Sequence, residues 1–272
     1  HRKETMGRIC LIDGDVLCYS ACPPRMGDEL FIHLDSKGRK TEKEFSEEED
    51  RRYLEASWER FKKSVPELLD KLFCNEYMMA VKGDYNFRST VYPDYKMNRH
   101  TSDRIRATAF VPAIRELAVI EDYAVASHGL EADDLLRIWA NECRQLGKEY
   151  IIVSIDKDLK CIPGKHYNLK HRILEEVSEF EAMFFYYQQI LQGDSTDNIP
   201  GVPGIGPVKA KKILSLCREE WEFQEAVVGV YLEMLGDNWY DWLVLNTKMI
   251  HLQRFPGDFD ILSSWPIIQE LL

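Results

Sequence analysis

Four apolar runs in this chain each lead into acidic residues, and helical periodicity fills the spaces between them. Arg8-Ile-Cys-Leu-Ile-Asp13 reads as a short buried strand closing on Asp13, with Asp15 two residues on. Tyr77-Met-Met-Ala-Val81 reads as a second strand and is followed by Asp84. Tyr123-Ala-Val-Ala126 is a third, leading to Glu131, Asp133 and Asp134 at the start of an amphipathic helix that Gly147 closes. Tyr150 to Ile155 is a fourth, followed by Asp156 and Asp158. Glu47 to Phe73 has a helical pattern that Pro66 is expected to interrupt, and Val111 to Ile120 is a further helix. Phe31-Ile-His-Leu followed by Asp35-Ser-Lys-Gly38 reads as a strand and turn. Strands alternating with helices imply an α/β domain with a mainly parallel sheet flanked by helices. In such sheets, sites form beyond the carboxyl ends of the strands.

An aspartate near a helix start is ordinarily just a cap. Repetition at successive strand ends weakens that explanation here. Asp156 and Asp158 are two apart in an extended segment and share a face. Glu131 and Asp133 sit where a helix N-terminus tolerates anions. Carboxylates gathered at one point repel unless cations hold them. Oxygen-only ligation suits Mg²⁺ or Mn²⁺ rather than zinc. Two such ions about 4 Å apart would form a phosphoryl-transfer centre.

After Phe180 the chain turns helical, and its most specific stretch runs from Gly193 to Pro207, continuing as Val-Lys-Ala-Lys-Lys-Ile-Leu214. Asp194 and Asp197 are spaced to lie side by side on one turn. Gly201, Gly204 and Gly206 permit close approach of the backbone to a ligand. Pro207 fits the first position of a helix whose amides could bind a DNA phosphate. Lys209 and Lys212 share a face away from the apolar Ala210, Ile213 and Leu214. A plain helix–turn–helix packing corner is the alternative.

Taken in order, these segments resemble the 5′-nuclease (flap endonuclease) family, especially bacteriophage 5′→3′ exonucleases and the exonuclease domain of bacterial DNA polymerase I. The stretches that carry the resemblance are Leu-Ile-Asp13-Gly, Gly83-Asp84, Phe87-Arg88 and Tyr95-Lys96-Met-Asn-Arg99. They continue with Leu-Glu131-Ala-Asp133-Asp134, Ser-Ile-Asp156-Lys-Asp158 and Gly193-Asp194-Ser-Thr-Asp197-Asn-Ile-Pro-Gly. The family's helix–three-turn–helix would span Val202 to Ala210. The resemblance implies a PIN-like core, a helical arch (84–110) and a helical DNA-binding region (180–272) after a catalytic region (1–179). It implies two divalent ions. Asp13, Asp84, Glu131 and Asp133 would serve the first, and Asp156, Asp158, Asp194 and Asp197 the second, with Asp133 or Asp134 near both. Lys96 and Arg99 would act on the scissile phosphate. Arg88, Tyr95, Gly201, Gly204, Gly206, Lys209 and Lys212 would contact DNA, with K⁺ at the Gly204–Gly206 turn. Tyr92 and Tyr95 could equally pack the arch onto the sheet. The substrate implied is double-stranded DNA with 5′ ends, flaps or nicks, cut by a structure-dependent exonuclease and flap endonuclease. Replication and repair are its natural setting.

Asp15 fits no ligand role in that pattern and is expected to cap. Two other readings start from the same residues. Asp13-Gly-Asp15 looks like the Asp-x-Asp of haloacid-dehalogenase-type phosphatases, with Asp13 as nucleophile. A non-catalytic DNA-structure binding protein would use only the glycine turn and arch, but it gains nothing from acids beside a phosphate.

The 272 residues, 45% hydrophobic, exclude a disordered chain. No apolar run reaches the length of a membrane span. The resemblance implies a monomer in the bacterial or phage-infected host cytoplasm. The seven cysteines are odd in number and form no CxxC pair, which fits free thiols in a reducing compartment. Residues 1–6 are polar, and Met6 is a candidate start. The net charge of −11 argues at first against nucleic acid. However, the nine motif acids alone carry −9 and residues 219–272 carry −8, so the remainder is +6. The stretch 201–218 holds four basic residues and no acid.

Overall fold

The computed structural model describes residues 7–23, 33–34, 40–41, 45–97 and 109–272. A six-stranded sheet in the order β5-β4-β1-β6-β7-β8 forms its centre. The strands are β1 (Ile9–Asp13), β4 (Glu76–Val81), β5 (Val125–Ala126), β6 (Tyr150–Ser154), β7 (Gly164–Asn168) and β8 (Ile173–Val177). All neighbours pair in parallel except β7 and β8, which form an antiparallel edge. A separate short pair, β2 (His33–Leu34) and β3 (Lys40–Thr41), is antiparallel. Phe31, Ile32 and the turn expected at Asp35–Gly38 lie outside the described residues.

Side chains alternate across the pleat. Cys10, Ile12, Met79, Val81, Ile151 and Val153 face one side, under α1 (Gly14–Ala21), α2 (Glu47–Leu72) and α4 (Val111–Ile120). Ile9, Leu11, Ala80 and Ile152 face the other, under α5 (Ala132–Gln145). A third cluster is helical. It joins α6 (Glu179–Gln192), α7 (Pro207–Leu214), α8 (Glu220–Leu235), α9 (Trp239–Ile250) and α10 (Pro266–Leu271) around Tyr187, Phe223, Tyr231 and Trp265. No helix among the described residues is long and apolar enough to cross a membrane.

The expected break at Pro66 is absent, for α2 runs unbroken over 26 residues. Pro66 is exposed, so the carbonyl left without its amide can meet water, while buried Phe61, Val65, Leu68 and Leu72 pin both sides. The third strand is shorter than expected, Val125–Ala126 only. The two strands after Asp158 were not anticipated: Gly164-Lys-His-Tyr-Asn and Ile-Leu-Glu-Glu-Val177 lack a continuous apolar run, the second as the sheet edge and the first between it and β6. In the arch segment the described part holds a short helix, α3 (Arg88–Val91), and ends at Met97. The rest of the expected arch, with Arg99 and His100, lies outside the described residues.

Candidate active site

Because β1, β4 and β6 run parallel, their carboxyl ends open on one side of the sheet. A cavity of about 990 Å³ lies there. Asp13 enters it from the end of β1, Asp156 and Asp158 from the turn after β6, and Glu131 and Asp133 from the start of α5. Asp194 and Asp197 enter from the loop after α6, and Lys96 from the segment after α3. Seven of the nine expected acids therefore line one cavity. Asp84 does not: it is exposed on the loop after β4 and lies outside the lining. Asn86, two residues on, lines the cavity instead and donates to Glu131 Oε1 at 3.4 Å.

Ser154, the last residue of β6, donates to Asp13 Oδ2 at 2.7 Å and accepts the Asp156 amide at 3.0 Å. Burial lifts the Asp13 carboxyl to about 7; the Ser154 bond opposes this, while Asp15 and Asp156 add to it. Burial also raises Asp133 well above the usual carboxylate range, with Asp13, Asp156 and Glu131 adding to it. Asp158 is lifted to about 7 by burial and by its neighbours Asp156 and Asp194. Burial acts on Asp194 too, but the Thr196 amide (2.8 Å) and the proton it shares with Asp158 hold it low. Gln189 from α6 donates to Asp158 Oδ1 at 2.8 Å.

Lys96 has a left-handed backbone, φ 59°. Its amide donates to the Asp197 carbonyl at 2.9 Å, and its ammonium pairs with Glu131 and stands 3.6 Å from Asp197 Oδ2. Burial would raise Glu131, but the cations of Arg88 and Lys96 hold it below the ordinary value. Among the described residues, no three His, Cys, Asp or Glu side chains are close enough to one another to hold a metal ion. The donor set is nevertheless wholly oxygen. Burial first, and the neighbouring carboxylates second, push Asp13, Asp133 and Asp158 toward protonation, as in a cluster short of positive charge.

Several assignments change. Arg88 is not a DNA contact. Its side chain is 1% exposed and grips Asp134 at 2.7 and 2.9 Å. Asp134, 0% exposed, is correspondingly not a ligand: its oxygens take Arg88 and the amides of Glu131 and Gln253. Tyr95 is buried, with its hydroxyl on Glu131 Oε2 at 2.8 Å, so it packs rather than stacks on a base. Asp15 does not cap. One oxygen takes Arg115 at 2.7 Å and the other the Lys82 amide at 3.1 Å, tying α1 to α4 and to the end of β4. With both oxygens engaged, Asp15 is not a free second acid for a phosphatase-type Asp-x-Asp.

A sequence model described as "5′-3′ exonuclease, N-terminal resolvase-like domain" matches residues 46–188, more than half of the chain. The chain belongs to the 5′-3′ exonuclease family. A 5′-3′ exonuclease of Buchnera aphidicola subsp. Schizaphis graminum (strain Sg) is 31% identical over 155 residues, covering 53% of this chain and 54% of its own. Flap endonuclease Xni of Shewanella pealeana is 32% identical over 142 residues, covering 49% and 55%. The chain thus spans about half the length of these two relatives. The fold resembles that of the T5 5′-exonuclease, solved with divalent metal ions (zinc) bound: TM-score 0.62, 16% identity, covering 97% of this chain and 96% of that one.

In this member of the 5′-3′ exonuclease family, the glycine turn divides into two parts. Gly201 is buried at φ 61°, and a Cβ there would fall 2.3 Å from the Gly193 amide nitrogen. Its amide donates to Asn246 Oδ1 at 2.9 Å. Gly201 therefore closes the loop on itself and on α9, correcting its assignment as a DNA contact. Gly204 (φ 78°) and Gly206 are exposed, with open space where a Cβ would be. Lys209 and Lys212 on α7 are exposed, and Lys209 Nζ donates to the Gly204 carbonyl at 2.9 Å. Ser154, Gln189, Asn86 and Arg115 escaped sequence reasoning, since isolated polar residues carry no spacing signal.

Proposed function

We propose that this chain hydrolyses DNA phosphodiester bonds as a divalent-metal-dependent 5′→3′ exonuclease with flap endonuclease activity. The observation that carries the reading is the meeting of seven of the nine motif carboxylates with Lys96 in a single cavity beyond the parallel strand ends. Asp13, Glu131, Asp133 and Asp156 would hold one divalent cation; Asp158, Asp194 and Asp197 would hold a second. Bound Mg²⁺ or Mn²⁺ would supply the charge that activates water and stabilises the leaving oxygen.

This chain's own groups do the rest. Ser154 orients Asp13, Gln189 orients Asp158, and the Asp197 carbonyl fixes the lysine backbone. Lys96 would present its ammonium to the scissile phosphate and balance the charge that develops there. Arg99 would join it from the arch. Gly204, Gly206, Lys209 and Lys212 would grip duplex phosphates without reading bases. The exposed Gly204–Gly206 turn would hold a K⁺ ion in the same reading.

The deciding experiment is timed digestion of duplexes and 5′-flap duplexes labelled at either the 5′ or the 3′ end, with and without Mg²⁺. Early release of short 5′-labelled products, abolished by EDTA, is expected. Mononucleotides released first from the 3′ label would reverse the polarity, and cleavage that persists in EDTA would end the metal reading.

A further inference from the structure

The last turn of α9 and the segment after it meet the starts of α3 and α5 mainly through their main chain. The Met249 carbonyl accepts from Arg88 Nε at 3.0 Å and the His251 carbonyl from Arg88 Nη2 at 2.6 Å. The Gln253 amide donates to Asp134 Oδ1 at 3.1 Å. From there the chain of bonds continues into the cavity. Asp134 Oδ2 accepts the Glu131 amide at 3.0 Å, which caps the first turn of α5, and Arg88 Nη1 stands 3.4 Å from Glu131 Oε2. A planar fork of five N–H donors is what lets one guanidinium hold two carbonyls and two carboxylates at once.

The segment is braced independently. Asp258 accepts His251 Nε2 at 2.9 Å and Arg254 Nε at 2.7 Å. Asn141 of α5 donates to the Arg254 carbonyl at 3.1 Å, and the Phe87 and Phe259 rings meet edge to face at 5.0 Å. Met249, Ile250 and Leu252 also line the cavity.

We infer that the strap Met249–Gln253, acting through the buried Arg88–Asp134 pair, is a positioning device for Glu131 and Asp133. It makes the geometry of those carboxylates depend on how the C-terminal helical region is seated. The inference rests on the metal-dependent reading above. Side chains that hold ligands in place are typically worth 10–100-fold in metal affinity. A pair with a merely structural role could be exchanged for apolar residues of similar volume with no such loss.

The test uses the whole chain and reads direct Mn²⁺ binding by electron paramagnetic resonance, thermal melting, and duplex-DNA binding. Three proteins are compared: wild type, Arg88→Lys, and the double variant Arg88→Met with Asp134→Leu. Arg88→Lys keeps the buried charge but loses the fork, and the double variant removes the unpaired-charge penalty. The expected result is a Mn²⁺ dissociation constant raised about tenfold or more in both variants, with duplex binding within about twofold of wild type. Should the double variant fail to fold, Arg88→Lys decides alone. Variants that melt at lower temperature yet bind Mn²⁺ as wild type does, when folded, overturn the inference and leave the metal reading intact. A wild-type protein that binds no Mn²⁺ overturns both.

Discussion

The Lys96 ammonium stands 3.6 Å from Asp197 Oδ2 while the Lys96 amide donates to the Asp197 carbonyl at 2.9 Å. The residue is thus anchored twice to one aspartate, and its charge lies among the carboxylates. Replacing Lys96 by Ala keeps the backbone bond and removes the ammonium together with its aliphatic stem. The single-turnover cleavage rate should fall about 10²–10³-fold, with duplex affinity changed far less. An unaltered rate would reduce Lys96 to a tie between two loops.

Asp156→Asn and Asp194→Asn each keep a hydrogen-bonding side chain but remove a negative charge from the cavity. Cleavage should be lost at every Mg²⁺ concentration, with duplex binding largely retained. Recovery of wild-type rates at saturating Mg²⁺ would remove the proposed two-metal site.

The Asp13 carboxyl, raised to about 7 in the folded protein against about 3.9 in an unfolded chain, gives a pH signature. Between those values the folded state binds more protons. The stability this contributes is complete below about pH 4 and is lost as the pH climbs through about 7. In EDTA, Asp13→Asn should therefore melt above wild type at pH 8, by on the order of a few degrees. The gap should close as the pH falls toward about 5. Adding Mg²⁺ should reverse the order at pH 8. A constant difference across the range would show that Asp13 does not carry the titration.

Lys209 and Lys212 are exposed on one helix beside the open Gly204–Gly206 turn. Changing both to Ala should weaken duplex binding and flatten the slope of log affinity against log salt by about 1–2. An unchanged slope would mean that the turn only packs.

Gly201→Ala and Gly204→Ala separate the two jobs of the glycine turn. The first forces a Cβ into the Gly193 backbone and should lower the melting temperature sharply or prevent folding. The second meets open space and should cost only about 1 kcal/mol for its left-handed backbone, measurable by denaturant melts. Equal losses would contradict the packing role of Gly201.

Reading the chain alone located Asp13, Glu131, Asp133, Asp156 and Asp158, because a strand end or helix start is a local pattern and each acid sits at one. The same holds for Lys96 and for Asp194 with Asp197, which stand in short motifs of fixed order. Reading alone did not foresee the burial of Arg88, Tyr95, Asp134 and Gly201, whose surroundings come from elsewhere in the chain. Arg88 meets Asp134, Met249 and His251, 46, 161 and 163 residues away. No periodicity records such a meeting.

The alternation of β1, β4, β5 and β6 with helices, the parallel sheet and the acids at its strand ends were therefore determined by the sequence, since hydrophobic period and local turn chemistry act over a few residues; β7 and β8 were not. Which of those charged groups face the cavity and which lock each other inside was decided only by tertiary packing. Burial sets that choice: a charge removed from water must find its partner in space, whatever its distance along the chain.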